Sequence, residues 1–235
     1  ARGDMGVEIP PEEVPLAQKM VIQKCNDQGK PVITATQMLD SMIRNPRATR
    51  AEITDVANAI LDGTDAVMLS GETAVGRYPI KAVALMNSIA LRIERSMDYQ
   101  ARLEARRRNR RQNIADAISL ATVQTAHDLG AAAILCSTQS GATARSIAKY
   151  RPEALLIAVC HSEAVVNQLM MTWGVNPILA KKPDTLEELI DVAIHSAKEK
   201  GLVKEGDIVA ITAGVKTGVP GSTNLLQVQQ IGADD

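Results

Sequence analysis

The stretch Pro31-Val32-Ile33-Thr34-Ala35-Thr36-Gln37-Met38-Leu39 decides the fold. Pro31–Ala35 opens on a proline and continues through β-branched residues, a strand pattern that ends in polar threonines. Downstream, Thr49-Arg50-Ala51-Glu52 has the spacing of a capping box, and Ile53, Val56, Ile60 and Leu61 form a helical apolar stripe stopped by Gly63. Asp65–Leu69 is the next strand candidate, breaking at Ser70-Gly71-Glu72, and a further helix runs from Pro79 with Ile80, Val83, Ala84 and Met86 to Ile93 along it. Upstream, Ala1-Arg2-Gly3-Asp4-Met5-Gly6 reads as a loop leading into a helix. Strands alternating with helices argue for a parallel sheet covered on both faces, hence an α/β fold.

A second α/β pattern occupies residues 113–235. Ile114–Leu129 reads as a helix, Ala131–Cys136 and Leu155–Val159 as buried strands, and Thr185–Lys200 as a helix closed by Gly201. Asp207–Thr212 and Leu225–Ile231 complete a small sheet. Between the two patterns, Arg102–Arg111 is rich in arginine; we read residues 97–112 as a linker between domains 1–96 and 113–235. No aromatic residue interleaves those arginines and the whole chain carries a net charge of −1, which argues against nucleic acid. No apolar run reaches the ~20 residues that span a bilayer. With no Phe, one Trp and three Tyr, the core must be built from aliphatics, Ala and Met. Cys25, Cys136 and Cys160 lie in apolar stretches without metal-ligand spacing and read as reduced core thiols of a cytoplasmic protein. His127 and His161 read as surface or capping residues, and Trp173 as a core residue ending an apolar helix.

Three places carry chemistry. A glycine between a cation and a carboxylate presents bare amides, a helix N-terminus and one metal-seeking group, Asp4, to an anion. Mg²⁺ takes few protein carboxylates and completes its shell with water and substrate oxygens, so one Asp suffices. Read instead as an adhesion tripeptide, Arg2-Gly3-Asp4 has no support elsewhere in the chain. Thr36 lies just past a strand end; spacing alone favours a helix cap over a catalytic hydroxyl. Ser70 and Glu72 read equally as a turn with a capping serine or as part of a proton relay. Finally, Ser137-Thr138-Gln139-Ser140-Gly141-Ala142-Thr143 follows a strand and opens a helix, which suits a Ser/Thr-rich cap or a phosphate cup.

Taken together, Ala1–Gly6, Pro31–Leu39 and Ser70–Ala74 resemble the pyruvate kinase family, and the resemblance runs across essentially the whole chain while covering only the C-terminal half or so of that family's polypeptide. It implies the last three or so βα units of a (β/α)8 barrel, followed by a small α/β domain with a mixed, mostly parallel sheet. It implies Mg²⁺ (or Mn²⁺) and K⁺ as cofactors, phosphoenolpyruvate and ADP as substrates, and a homotetramer. Asp4 would be a metal carboxylate, the Gly3 and Asp4 amides a carboxylate cradle, Thr36 a substrate contact near the carbon to be protonated, and Ser70 a catalytic hydroxyl. Family members carry a catalytic Lys and a first metal Glu ahead of the Arg-Gly-Asp turn, so we expect the chain to begin partway through an active site and to be inactive alone. The second site would hold a phosphorylated effector through Ser137, Thr138, Gln139, Ser140, Gly141, Thr143 and Gly221, the last in a loop at 214–224. Ala142 stands where many relatives have Arg, and Glu188 and His195 align where fructose-bisphosphate-activated relatives have an aromatic and an Arg; a monophosphate effector is therefore expected. The alternative is a non-catalytic phosphometabolite-binding module of the same descent. Limited proteolysis is expected to cut within 97–112 and leave a resistant C-terminal piece, whereas equal resistance of both parts would count against that boundary.

Overall fold

The computed structural model describes residues 2–108, 112–214 and 223–232, and the chain divides into two compact units, Ala1–Met97 and Asp98–Asp235. The first contains α1 (Arg2–Glu8), α2 (Val14–Asp27), β1 (Ile33–Thr34), α3 (Arg50–Asp62), β2 (Ala66–Val67), α4 (Gly71–Ala74) and α5 (Pro79–Glu94). β1 and β2 pair in parallel, Ile33 with Ala66 and Thr34 with Val67. Both strands are shorter than their sequence signals, yet the bonding extends beyond them: the Val32 N–H donates to the Asp65 carboxylate at 3.0 Å and the Met68 N–H to the Thr34 carbonyl at 3.0 Å.

The expected loop at the N-terminus is instead the first turn of α1. Neither Gly3 nor Gly6 stops it, because the turn is held from outside through the Arg2 side chain and the Gly3 amide, and the Ile9 N–H closes on the Met5 carbonyl at 2.9 Å. Met38, Leu39, Met42, Val56, Ala59, Ala82 and Met86 fill this unit's core, where flexible thioethers take the place of the absent phenylalanines. On α5 the buried face is Ala82, Met86 and Ile89, not the one carrying Ile80 and Val83, which are 83% and 53% exposed. Ile33, Met68 and Leu16 are also exposed, which leaves apolar surface around a sheet of only two strands.

Helix α3 starts as its sequence predicts. Thr49 Oγ1 accepts the Glu52 N–H at 3.3 Å, and the Glu52 carboxylate accepts the Thr49 N–H at 2.7 Å. The same carboxylate also takes the Ser41 N–H and hydroxyl, both at 2.6 Å. Burial works to raise the Glu52 pKa, but these bonds from Ser41 and Thr49 outweigh it and hold the group below its ordinary value.

The second unit contains α6 (Tyr99–Arg107), α7 (Ile114–Asp128), β3 (Ala133–Thr138), α8 (Ala142–Ala148), β4 (Leu155–Cys160), α9 (Glu163–Leu169), β5 (Val175–Leu179), α10 (Leu186–Glu199), β6 (Ile208–Ala213) and β7 (Leu225–Gln230). Strand order is β5-β4-β3-β6-β7, parallel except for β7, which runs antiparallel to β6. β5 escapes the sequence reading because Asn176 and Pro177 sit inside it; a proline is tolerated there since β5 is an edge strand. Part of the segment read as a linker is folded: Leu103 of α6 is 3% exposed within the core.

Both faces of this sheet are buried, and side chains alternate between them. Ile134, Cys136, Leu156, Ala158 and Cys160 face a layer that includes Leu120, Val123, Ala144 and Ile147, while Ala133, Leu135, Ile157 and Val159 face Ala193 and Ala197. Burial pushes the Cys136 thiol up strongly and the Cys160 thiol to about 11, so both behave as small apolar groups. Trp173 is not the core residue its sequence suggests: it is half-buried, with its ring 6.5 Å from that of Tyr99 and the Arg151 guanidinium 5.0 Å from its centroid. Among the described residues, no helix is long and apolar enough to cross a membrane.

Replacing Thr49 with Ala should cost about 1 kcal/mol, as removal of a helix N-cap usually does. Because the folded-state pKa of Glu52 is depressed, its contribution should be present above the ordinary value of 4.5 and fade as pH falls through the lower folded-state value. Urea unfolding of both proteins between neutral pH and pH 3 (roughly a unit and a half below that value) checks this, the difference between them shrinking in acid.

Candidate active site and second site

Loops leaving the carboxyl ends of β1 and β2 carry the first cluster. Thr36 follows β1 by two positions, in the chain order Thr34, Ala35, Thr36, and adopts φ 69°, with Gln37 at φ 53°. Two successive non-glycine residues in the left-handed region are costly, most of all for a β-branched one. The Thr36 hydroxyl donates to the Ala35 carbonyl at 2.7 Å and accepts the Gly3 N–H at 3.0 Å. Two motif segments 33 residues apart in sequence thus meet at one hydroxyl. This bond engages one of the two amides expected to form the anion cradle.

Around that contact lies Arg2. Its Nε donates to the Ala35 carbonyl at 3.1 Å, one terminal nitrogen to the Thr36 carbonyl at 2.6 Å, and the other to Asp55 at 2.7 Å. The sequence reading treated Arg2 only as the cation of a tripeptide. Its partners lie up to 53 residues away, and no local pattern announces them.

Ser70 does not act as a side-chain cap; its hydroxyl makes no capping bond to α4. The nearby carboxylate does the structural work. Glu72 is 2% exposed, with one oxygen accepting the Leu39 N–H at 3.0 Å and the other the Ser70 N–H at 2.8 Å. It therefore ties the loop after β1 to the loop after β2, which puts Thr36 and Ser70 on one rim of the parallel pair. Asp4 is exposed in the first turn of α1, and among the described residues its carboxylate accepts no hydrogen bond. No group of three His, Cys, Asp or Glu able to hold a metal ion occurs among the described residues. Asp4 alone could offer a hard cation one carboxylate; its other ligands would have to be water or substrate oxygens.

The second cluster sits at the carboxyl edge of β3 and β4. Ser137 and Thr138 end β3, Gln139 is exposed, and Gly141 opens α8 at φ 77°. A side chain at Gly141 would be strained in that backbone and would meet Leu169 Cδ2 at 3.0 Å. Thr143 Oγ1 lies 2.7 Å from Thr223 Oγ1, so this hydroxyl is spent on a buried contact. Arg145 donates to the Ser140 carbonyl at 2.9 Å. His161, read from sequence as a surface or capping residue, reaches this edge from the end of β4: its Nε2 is 3.3 Å from Ser137 Oγ and its Nδ1 3.2 Å from the Ala180 carbonyl. His127 does remain peripheral, 3.9 Å from Glu153. Glu188 turns its carboxylate to the Asp184 N–H at 2.8 Å, capping its own helix. Gly221 and most of the loop at 214–224 lie outside the described residues.

Replacing Glu72 with Ala should leave two backbone N–H groups unpaired in a buried loop and cost about 2–4 kcal/mol, at one to two per orphaned donor. Chemical unfolding checks this, and a loss below ~0.5 kcal/mol, the size of an ordinary surface substitution, would show that water replaces the carboxylate.

Two family models match the chain: the pyruvate kinase barrel domain over residues 1–83 and the pyruvate kinase alpha/beta domain over residues 116–229. Pyruvate kinase of Clostridium acetobutylicum is 56% identical over 231 residues, covering 98% of this chain and 49% of that protein. Pyruvate kinase of Geobacillus stearothermophilus is 57% identical over 231 residues, covering 98% and 39%. Among solved structures, a pyruvate kinase from Cryptosporidium parvum superposes with a TM-score of 0.90 at 43% identity, covering 98% of this chain and 46% of that one. The chain therefore spans half or less of the length of these relatives.

Proposed function

Because the chain belongs to the pyruvate kinase family, we propose that it supplies one wall of a site that transfers the phosphoryl group of phosphoenolpyruvate to ADP, yielding pyruvate and ATP. The observation that carries this reading is the Gly3 N–H to Thr36 hydroxyl bond, which joins the amide end of α1 to the end of β1 beside the free carboxylate of Asp4. Asp4 would hold Mg²⁺ (or Mn²⁺), and the Asp4 amide, joined by the Gly3 amide once that leaves the Thr36 hydroxyl, would orient the substrate carboxylate. When bound, the metal neutralises charge on the transferring group. Phosphoryl transfer runs mostly on such positioning and charge neutralisation.

After transfer the enolate takes a proton at carbon to become pyruvate. Thr36 and Ser70, after adjacent strands, would be the hydroxyls that orient water or substrate for that step. K⁺ dependence belongs to the same reading. Residues 1–96 would form the catalytic piece and 113–235 the regulatory piece, with the stretch 97–112 between them including α6, whose Leu103 packs in the second unit. There, Ser137, Thr138, Gln139, Ser140, Gly141, Thr143 and Gly221 would receive a phosphorylated effector. The hydroxyl cluster and His161 beside Ser137 support that assignment. A cytoplasmic homotetramer completes the proposal.

Purified chain mixed with phosphoenolpyruvate, ADP, Mg²⁺ and K⁺ should form no pyruvate, since one wall does not make a site. Supplying the remaining barrel half of a pyruvate kinase in trans should restore turnover, and Asp4→Ala should then abolish it. Turnover by the chain alone, lost in Asp4→Ala, would overturn the half-site reading; no turnover after complementation would favour a non-catalytic binding module.

A further inference from the structure

Thr36 and Gln37 hold backbone angles that their side chains disfavour, and something must offset that cost. In an extended strand, successive carbonyls point to opposite sides. Here the carbonyls of Ala35 and Thr36 converge on one guanidinium, at 3.1 Å and 2.6 Å. A helical-sense turn at Thr36, here left-handed, brings them to the same side. The guanidinium cannot swing to follow an extended chain, because its opposite nitrogen is fixed on Asp55, with both carboxylate oxygens at 2.7 Å. Gln18 Oε1 at 3.4 Å and Met38 Sδ at 2.8 Å complete its surroundings. All three nitrogens are thus engaged, in a planar fork that a lysine ammonium does not reproduce.

We propose that Arg2 is a positioning residue whose guanidinium, anchored on Asp55 of α3, imposes the left-handed turn at Thr36 and thereby sets the Thr36 hydroxyl against the Gly3 N–H. Arg2 acts on two segments at once: it starts α1, where Gly3 and Asp4 follow it, and it shapes the exit of β1. Its consequence for catalysis rests on the pyruvate kinase reading above, but the turn itself is observable without substrate.

The test is nuclear magnetic resonance of the isotopically labelled full chain, comparing the parent with Arg2→Lys and Asp55→Asn. Backbone shifts and the amide–Hα coupling of Thr36 report its φ, and hydrogen exchange reports the Gly3 N–H. Both variants should move Thr36 out of the left-handed region. The Gly3 amide should then exchange about tenfold faster, as expected when a bond of ordinary strength loses its partner. Thr36→Gly supplies the rescue, since glycine adopts positive φ at little cost. In that background Arg2→Lys should leave the turn in place and destabilise the protein less than it does with Thr36 present. A folded Arg2→Lys protein with unchanged Thr36 shifts and Gly3 exchange overturns the proposal, as does a destabilisation by Arg2→Lys that is equal in both backgrounds. Failure of the pyruvate assay would bear on the proposed function and leave this result standing.

Discussion

Parallel strand pairing governs where the hydroxyl-bearing loops of this chain gather. Parallel strands require their connections to cross back over a face of the sheet, so the loops that leave their carboxyl ends gather on one edge. In the first unit that edge holds Thr36 after β1 and Ser70 after β2. The second unit repeats the arrangement: Ser137 and Thr138 end β3, and His161 follows β4. The backbone ladder is complete below these residues, and their side chains bond neighbouring loops: the Thr36 hydroxyl meets the Gly3 N–H, and Ser137 Oγ lies 3.3 Å from His161.

The two edges are stabilised differently. In the second unit, β3 and β4 are covered on both faces, and Gly141 can turn the chain sharply into α8 because it has no side chain to strain at φ 77°. The first unit has two short strands and exposed Ile33 and Met68, so its edge relies on polar side chains reaching across loops. Glu72 joins the two strand exits through backbone amides, and Arg2 holds the turn at Thr36 through backbone carbonyls. One buried anion and one half-buried cation thus take over bonds that a longer sheet would make for itself. Neither touches a reacting group in this reading, yet both decide where Thr36 and Ser70 stand.

Much of this was legible in the residue order. Thr49 and Glu52 carry a capping box because both partners lie within one turn, and the buried strands Ala133–Thr138 and Leu155–Cys160 show as apolar runs because both their faces are covered. Thr36, Ser70 and Ser137 could be placed at strand ends from the residue order, but it was the family resemblance that singled them out as site residues. What misled was context beyond a few residues. The glycines at 3 and 6 argued for a loop, but side chains from distant segments hold a helix there. The helix from Pro79 was legible, but not which side it buries: the neighbouring helix α3 sits against Ala82, Met86 and Ile89, and Ile80 and Val83 are left exposed. Pro177 hid an edge strand, and isolated Trp173 gave no sign of the arginine beside it.

The sequence by itself determined the alternation of strands and helices, the caps and the hydroxyls at strand ends, since these depend on periodicity and on neighbours within a turn. Only the tertiary structure decided which of those hydroxyls meet a partner. Gly3 and Thr36 are 33 positions apart, and Arg2 and Asp55 are 53. No local propensity links such positions; they come together because the parallel register of β1 and β2 and the packing of α3 bring their loops to one edge.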